Sequence, residues 1–177
     1  MMSDLSHLEN GTEVYGPIGY DVYRDYDLLF DYKGKTLTPI DPDYTETFLK
    51  VHKAMRHIPL VNSRIGTANL KFGIDCGASS DLIDSGRWGE FKNMMKRVKT
   101  TKLKGVSNEE GMKVHEGKLK SLKIGGKTFR NTRTVFNSIS HLNMNKDERI
   151  DGLIGYQILS RQKTILSCRN RKLIFIE

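Results

Sequence analysis

The sequence predicts an all-β fold with one or two short helices, and three segments support this fold class. Residues 70–74, LKFGI, alternate large apolar side chains with a lysine and a glycine, as a half-buried strand does. Residues 118–136 read as strand, Gly-Gly turn and strand, because glycine readily adopts the positive φ angles that tight hairpins need. The chain ends in two apolar segments that flank a polar turn around Arg169 and Asn170.

One amphipathic helix is predicted among these β segments. Trp88, Phe91, Met95 and Val98 recur at spacings of three and four residues, which places them on one face of a helix. An apolar stripe of this kind is expected to pack on the core of the domain and not to bind a ligand.

The length and composition fit one hydrophobic core with additional material. At 177 residues the chain is long enough for such a core plus an arm, a tail or part of another domain. No apolar segment approaches the roughly 18 residues that span a bilayer, so no membrane partner is expected. The start, MMSDLSHLENG, lacks the basic and apolar regions of a secretory signal, and a periplasmic or secreted location would need a signal upstream. Two cysteines, Cys76 and Cys168, exclude a disulfide-stapled mini-domain and leave the compartment undecided.

The positive charge is concentrated after residue 50. Residues 1–50 hold four Lys/Arg and ten Asp/Glu, a net charge of −6, so the total of +8 leaves +14 for the remainder. Because aromatic residues are not interleaved with the basic cluster in this part, we expect a solvated face and not a nucleic-acid site. The cluster consists of Lys92, Lys96, Arg97, Lys99, Lys102 and Lys104.

An internal repeat divides the chain. Residues 16–40 align without gaps with residues 152–176, at a constant offset of 136 (152 − 16). The identical positions are Gly16, Ile18, Gly19, Tyr20, Leu37 and Ile40, which match Gly152, Ile154, Gly155, Tyr156, Leu173 and Ile176. The repeat predicts three parts: a C-terminal segment of a preceding copy (1–40), a polar linker (41–51) and a whole domain (52–177).

Each copy of the repeat predicts a glycine-bounded turn, a short helix and two strands. The first copy repeats only the last third of the unit, and strands without a sheet bury too little surface to be stable alone. We therefore expect residues 1–40 to add strands to a sheet of the main domain or to a partner chain.

Two signatures carry the chemistry. Residues 72–80, FGIDCGASS, place Asp75 after a strand and before a glycine turn, and Gly152-Leu153-Ile154-Gly155 follows 80 residues later (155 − 75). Together these signatures resemble the retropepsin-like aspartic proteases, in which the second element packs beneath the catalytic loop. LKIGGKTF and SISHLN before DGLIGY are, more particularly, similar to the aspartyl-protease-like proteins of Bacteroidetes. The resemblance covers residues 52–177 and implies a closed, barrel-type β-domain.

This resemblance implies an aspartic endopeptidase that hydrolyses polypeptides with water activated by Asp75. A glycine turn fixes such a carboxylate at a strand end while leaving it open to a cleft, and Gly77 allows the tight turn. No cofactor is implied, and the five histidines lack the spacing of a metal site. The implied catalytic-loop residues are Asp75, Cys76 and Gly77, and the implied substrate-binding residues are Ala78, Ser79 and the flap glycines Gly125 and Gly126.

The sequence departs from the family pattern in two respects. Cys76 stands where active relatives carry a Thr or Ser hydroxyl that bridges two loops, and a thiol is a weaker donor and acceptor. The second aspartate of the pair is absent; in a complete first copy it would lie about 61 residues before the chain (19 − 80). Either a preceding lobe or a homodimer supplies it, or Asp75 has only a structural role. The alternative function is an inactive domain that binds peptide or mediates assembly.

Overall fold

The computed structural model describes seven segments, and their regular structure is almost entirely β-strand. The described residues are 18–40, 49–50, 52–55, 58–105, 108–143, 149–167 and 172–176. The helices in these segments are α1 (Tyr20–Tyr23), α2 (Trp88–Phe91) and α3 (Tyr156–Leu159). None of them has the length and apolar character that a bilayer-spanning helix requires. The strands are β1 (Asp27–Asp31), β2 (Thr36–Ile40), β3 (Leu49–Lys50), β4 (His52–Met55), β5 (Ile58–Ile65), β6 (Ala68–Ile74), β7 (Asp81–Asp84), β8 (Met95–Gly105), β9 (Asn108–Ile124), β10 (Lys127–Asn137), β11 (Gly152–Ile154), β12 (Lys163–Ser167) and β13 (Lys172–Ile176).

Six of these strands close into a barrel. Their order is β5-β6-β11-β7-β10-β9, and β9 returns to pair with β5. The interior is packed with apolar side chains that are almost fully buried, among them Phe72, Ile83, Leu122 and Ile154. The predicted all-β, retropepsin-like barrel with a few short helices is therefore confirmed.

The two predicted hairpins form around glycines in the left-handed region. The β5–β6 turn contains Gly66 at φ 58°, and the β9–β10 turn contains Gly125 at φ 56°. L-amino acids with a Cβ rarely adopt these angles, so the two glycines determine where the hairpins reverse.

The predicted helix over Trp88–Val98 is wrong beyond its first turn. Helix α2 ends at Phe91, a single 3₁₀ turn follows, and β8 begins at Met95. Met95 is buried opposite Leu119, whereas Val98 is exposed because the strand bulges around Arg97, which has φ 52°. The helical spacing of the apolar residues therefore arises across a helix–strand junction.

The basic cluster lies mostly on β8. The side chains described for it, Lys92, Lys96, Arg97, Lys99 and Lys102, are all exposed, in agreement with a solvated face.

A second sheet joins the two copies of the repeat. Its strand order is β2-β1-β12-β13-β3, with β1 antiparallel to β12. The prediction that the first copy adds strands to a sheet is confirmed for residues 18–40, which extend the sheet formed by the C-terminal hairpin. Of the predicted linker, residues 41–48 and 51 lie outside the described residues, and Leu49–Lys50 form a strand on β13.

Candidate active site

The loop that follows β6 holds Asp75 by hydrogen bonds at both ends of the residue. The Asp75 amide donates to the carbonyl of Ile154 at 2.9 Å, and the Ala78 amide donates to the Asp75 carbonyl at 3.2 Å. The Gly77 amide donates to Asp75 Oδ1 at 3.0 Å. The side chain is partly exposed, so the carboxylate is fixed in position and still reachable from solvent.

The second signature packs directly beneath this loop. The Tyr156 amide donates to the Ala78 carbonyl at 2.8 Å. A Cβ at residue 155 would lie 2.6 Å from the Ala78 carbonyl oxygen and 2.7 Å from that of Ser80, so glycine is required there. The contact between the two signatures, implied by the family resemblance, is thus present in the structure.

A buried carboxyl group, that of Asp81, lies below the same contact. Its Oδ1 accepts a hydrogen bond from the Gly155 amide at 3.0 Å, while Oδ2 has no hydrogen-bond partner among the described residues. Burial raises the pKa of Asp81 to about 7, against the lowering influence of the Gly155 amide and the Arg161 charge. The sequence gives this residue no feature that distinguishes it from an ordinary turn carboxylate.

Asp84 and Asp151 have structural roles. Asp84 Oδ1 accepts from the Gly86 amide at 2.8 Å at the start of a short helical turn. Asp151 accepts from the Lys71 amide at 2.8 Å and forms an ion pair with Arg87 at 2.7 Å. These two carboxylates therefore fix the base of the barrel strands.

Cys76 exposes part of its side chain beside Asp75. Desolvation raises the pKa of its thiol, and the negative charge of Asp75 raises it further. The thiol is therefore protonated at neutral pH, which argues against a nucleophilic thiolate.

Tyr32 reaches the loop from the first copy of the repeat. It follows β1, and its hydroxyl donates to the Cys76 carbonyl at 3.3 Å. Its ring contacts that of Tyr156 edge to face, with centroids 5.3 Å apart. Burial and the nearby Cys76 and Asp75 raise the pKa of Tyr32 to about 12, so the hydroxyl remains a donor. Sequence reasoning missed Tyr32, and the repeat offered no signal because its aligned residue is Cys168 (32 + 136).

An apolar cavity of about 780 Å³ opens beside the Asp75 loop. The loop lines one side, and the other side consists of apolar residues of the first copy, such as Ile18, Val22 and Leu37. Asp75 is the only carboxylate among the described residues that line it.

Five of the predicted site residues meet in one loop. Asp75, Cys76, Gly77, Ala78 and Ser79 are consecutive, and the Ser79 carbonyl accepts a hydrogen bond from Gln157 Nε2 at 3.3 Å. No group of side chains suited to a metal ion occurs in the described segments.

The predicted flap glycines lie elsewhere. Ile124, next to Gly125, pairs with Ser63, which in turn pairs with Leu70. Leu70 precedes Asp75 by five residues of extended chain, roughly 16 Å. The placement of Gly125 and Gly126 over the Asp75 cleft is therefore corrected.

The predicted flap loop of residues 105–117 is likewise replaced, largely by strand. Residues 108–124 form the continuous strand β9, which pairs with β8 as a long ribbon. The error arose because Gly111 and Gly117 suggested a loop, whereas both lie within β9.

Comparison with known proteins agrees with this geometry. Residues 61–158, 98 of 177, match the profile of a family described as aspartyl protease. Among solved structures, a retropepsin-like aspartic protease from Rickettsia conorii matches at 22% identity and a TM-score of 0.46, covering 66% of this chain and 79% of that chain. No curated protein matches the sequence significantly. Because the profile spans more than half of its length, the chain belongs to the aspartyl protease family.

Proposed function

We propose that the chain forms one half of the active site of an aspartic endopeptidase, with Asp75 as one member of a carboxylate pair. The observation that carries this proposal is the Asp75 carboxylate, held by the Gly77 amide at 3.0 Å and partly exposed at the mouth of a large apolar cavity. A general base needs such a fixed and accessible position. The substrate is a polypeptide, whose apolar side chains match the cavity lining.

The reaction requires a second carboxylate. Two aspartates about 3 Å apart hold one proton between them, because both resist ionisation at that distance. The ionised one removes a proton from water, which attacks the scissile carbonyl, and the protonated one donates to the carbonyl oxygen. The described residues of the cavity contain Asp75 alone, so the other carboxylate comes from a second lobe or subunit.

A second candidate function is a binding domain that performs no chemistry. The observation that favours it is Cys76, whose thiol replaces the hydroxyl that would bridge the facing loops. In that case Asp75 would serve only to receive the Gly77 amide and order the turn.

The test is cleavage of a denatured protein by the protein expressed from its complete reading frame. We expect peptide-bond cleavage with an acidic optimum, because the pair must hold one proton. A peptide with a secondary alcohol in place of the scissile carbonyl should block it, since it mimics the tetrahedral transition state. Binding of the same denatured protein without cleavage, from acidic to neutral pH, would support the binding-domain alternative.

Replacement of Cys76 by threonine separates the two functions further. The hydroxyl restores a good donor and acceptor at this position, so kcat is expected to stay equal or rise. Cys76→Ala is the matched control, since it removes the thiol without adding a hydroxyl. Equal rates for the threonine and alanine variants would show that no bridge forms at position 76.

A further inference from the structure

The two copies of the repeat have the same secondary structure at the same offset. Helix α1 and helix α3 begin at Tyr20 and Tyr156 and end 136 residues apart as well. Strands β1 and β12, and strands β2 and β13, also begin and end 136 residues apart. The described part of the first copy is therefore a helix and hairpin equivalent to the last part of the barrel domain.

The pairing of β1 with β12 has the register of a local two-fold axis. Leu29 pairs with Ile165, which is its own equivalent in the repeat (29 + 136). The flanking pairs are Leu28 with Leu166 and Phe30 with Thr164, and the repeat exchanges one pair with the other. The axis passes through the Leu29–Ile165 pair.

Equivalent residues of the two copies differ sharply in burial. Ile154, Ile158 and Leu173 are each 0% exposed, because α3 and β13 pack on the barrel core. Their counterparts Ile18, Val22 and Leu37 are 65%, 64% and 45% exposed. The first copy thus presents the inner face of a barrel domain without the barrel strands that would cover it.

From these three observations we infer that α1, β1 and β2 form the docking surface for a second barrel lobe that precedes residue 18 in the same polypeptide. This lobe has strands equivalent to β5–β11 and lacks a terminal helix and hairpin of its own. In the repeat unit the barrel strands come before the helix and hairpin, which sets the order of the lobe and this segment. The role of the lobe as donor of the second aspartate rests on the proposed function; the docking itself does not.

A second copy of the chain does not fit this surface. Its barrel is already closed on its own α3, β12 and β13, whose apolar side chains fill the core. A symmetric dimer through β12 is excluded as well, because β1 occupies the edge of β12 that such a dimer would use.

Engineered disulfides test the excluded dimer. Directly opposed residues of antiparallel strands have Cα atoms about 4.5–5.5 Å apart, within disulfide range. In the full chain, the pair Leu29→Cys and Ile165→Cys should form a link within one molecule, seen by non-reducing electrophoresis and by the mass of the linked peptides. Ile165→Cys alone should give no link between positions 165 of two molecules. Such a link would overturn the inference in favour of a homodimer.

Substitutions on the docking surface test the lobe, in protein expressed from the complete reading frame. Val22→Lys should raise the amide exchange rates of residues 18–40 at least tenfold, because a charged side chain prevents docking. Val98→Lys, a change of the same type at another exposed valine, should leave these rates unchanged. Parent-like exchange in Val22→Lys, a reading frame that opens at Met1, or coverage of this surface by a separate protein would each overturn the inference. Docking without peptidase activity would support the inference and count against the proposed function alone.

Discussion

Asp75→Asn is expected to lower the rate of peptide-bond cleavage at least about a hundredfold, the lower end of what general acid–base groups contribute. The asparagine side-chain oxygen can still accept from the Gly77 amide, which now donates to Asp75 Oδ1, so the turn keeps its shape. The side chain loses its ability to take a proton from water. The measurement is kcat/KM on a denatured protein substrate, in protein expressed from its complete reading frame.

The matched control is Glu90→Gln, which removes a carboxylate from an exposed position on α2. Both variants should unfold at the same temperature as the parent within a few degrees, so that loss of activity reflects chemistry. If Asp75→Asn cleaves as fast as Glu90→Gln, Asp75 is not the base, and the binding-domain alternative gains support.

Asp81→Asn is expected to flatten the dependence of folding stability on pH. The pKa of Asp81 is raised by burial from 3.8 to about 7, so the folded state retains a proton that the unfolded state loses. The stabilisation is fully present below the unfolded value and is lost as pH rises through the folded one. About three pKa units correspond to about 4 kcal/mol at most, at about 1.4 kcal/mol per unit. Asparagine cannot ionise, so its variant should show no such loss.

Urea unfolding at pH values from 4 to 8 measures this effect, with the difference in free energy of unfolding between parent and variant as the readout. The parent should lose several kcal/mol more than Asp81→Asn between the two ends of this range. Parallel curves for the two proteins would show that the Asp81 proton is not linked to folding. Because Asp81 receives the Gly155 amide beneath the Asp75 loop, the same proton links pH to the order of the candidate site.

The sequence predicted those parts of the fold that depend on local chemistry. The turn glycines Gly66 and Gly125 and the alternation in β6 identified the hairpins, because a positive φ angle and a period of two are visible in single residues. The loop from Asp75 to Ser79 was identified for the same reason, since all its members are consecutive.

Features that depend on long-range pairing were not predictable. The distance of Gly125 from Asp75 follows from the closure of β9 on β5, which no local pattern specifies. The burial of Met95 and exposure of Val98 depend on the bulge at Arg97. Tyr32 reaches Cys76 from 44 residues away because β1 pairs with β12.

The charges at the two ends of the β1–β12 pair give it a direction. At one end Lys163 Nζ lies 3.1 Å from Asp31 Oδ2, and at the repeat-related end Asp27 faces Ser167. In a symmetric dimer of identical chains every substitution would appear at both ends, so such an inequality could not arise. The two halves of this interface are separate positions in one gene, and each is free to change without the other. Natural variants that neutralise Asp31 should therefore carry a compensating change at Lys163, while Asp27 and Ser167 vary independently of them.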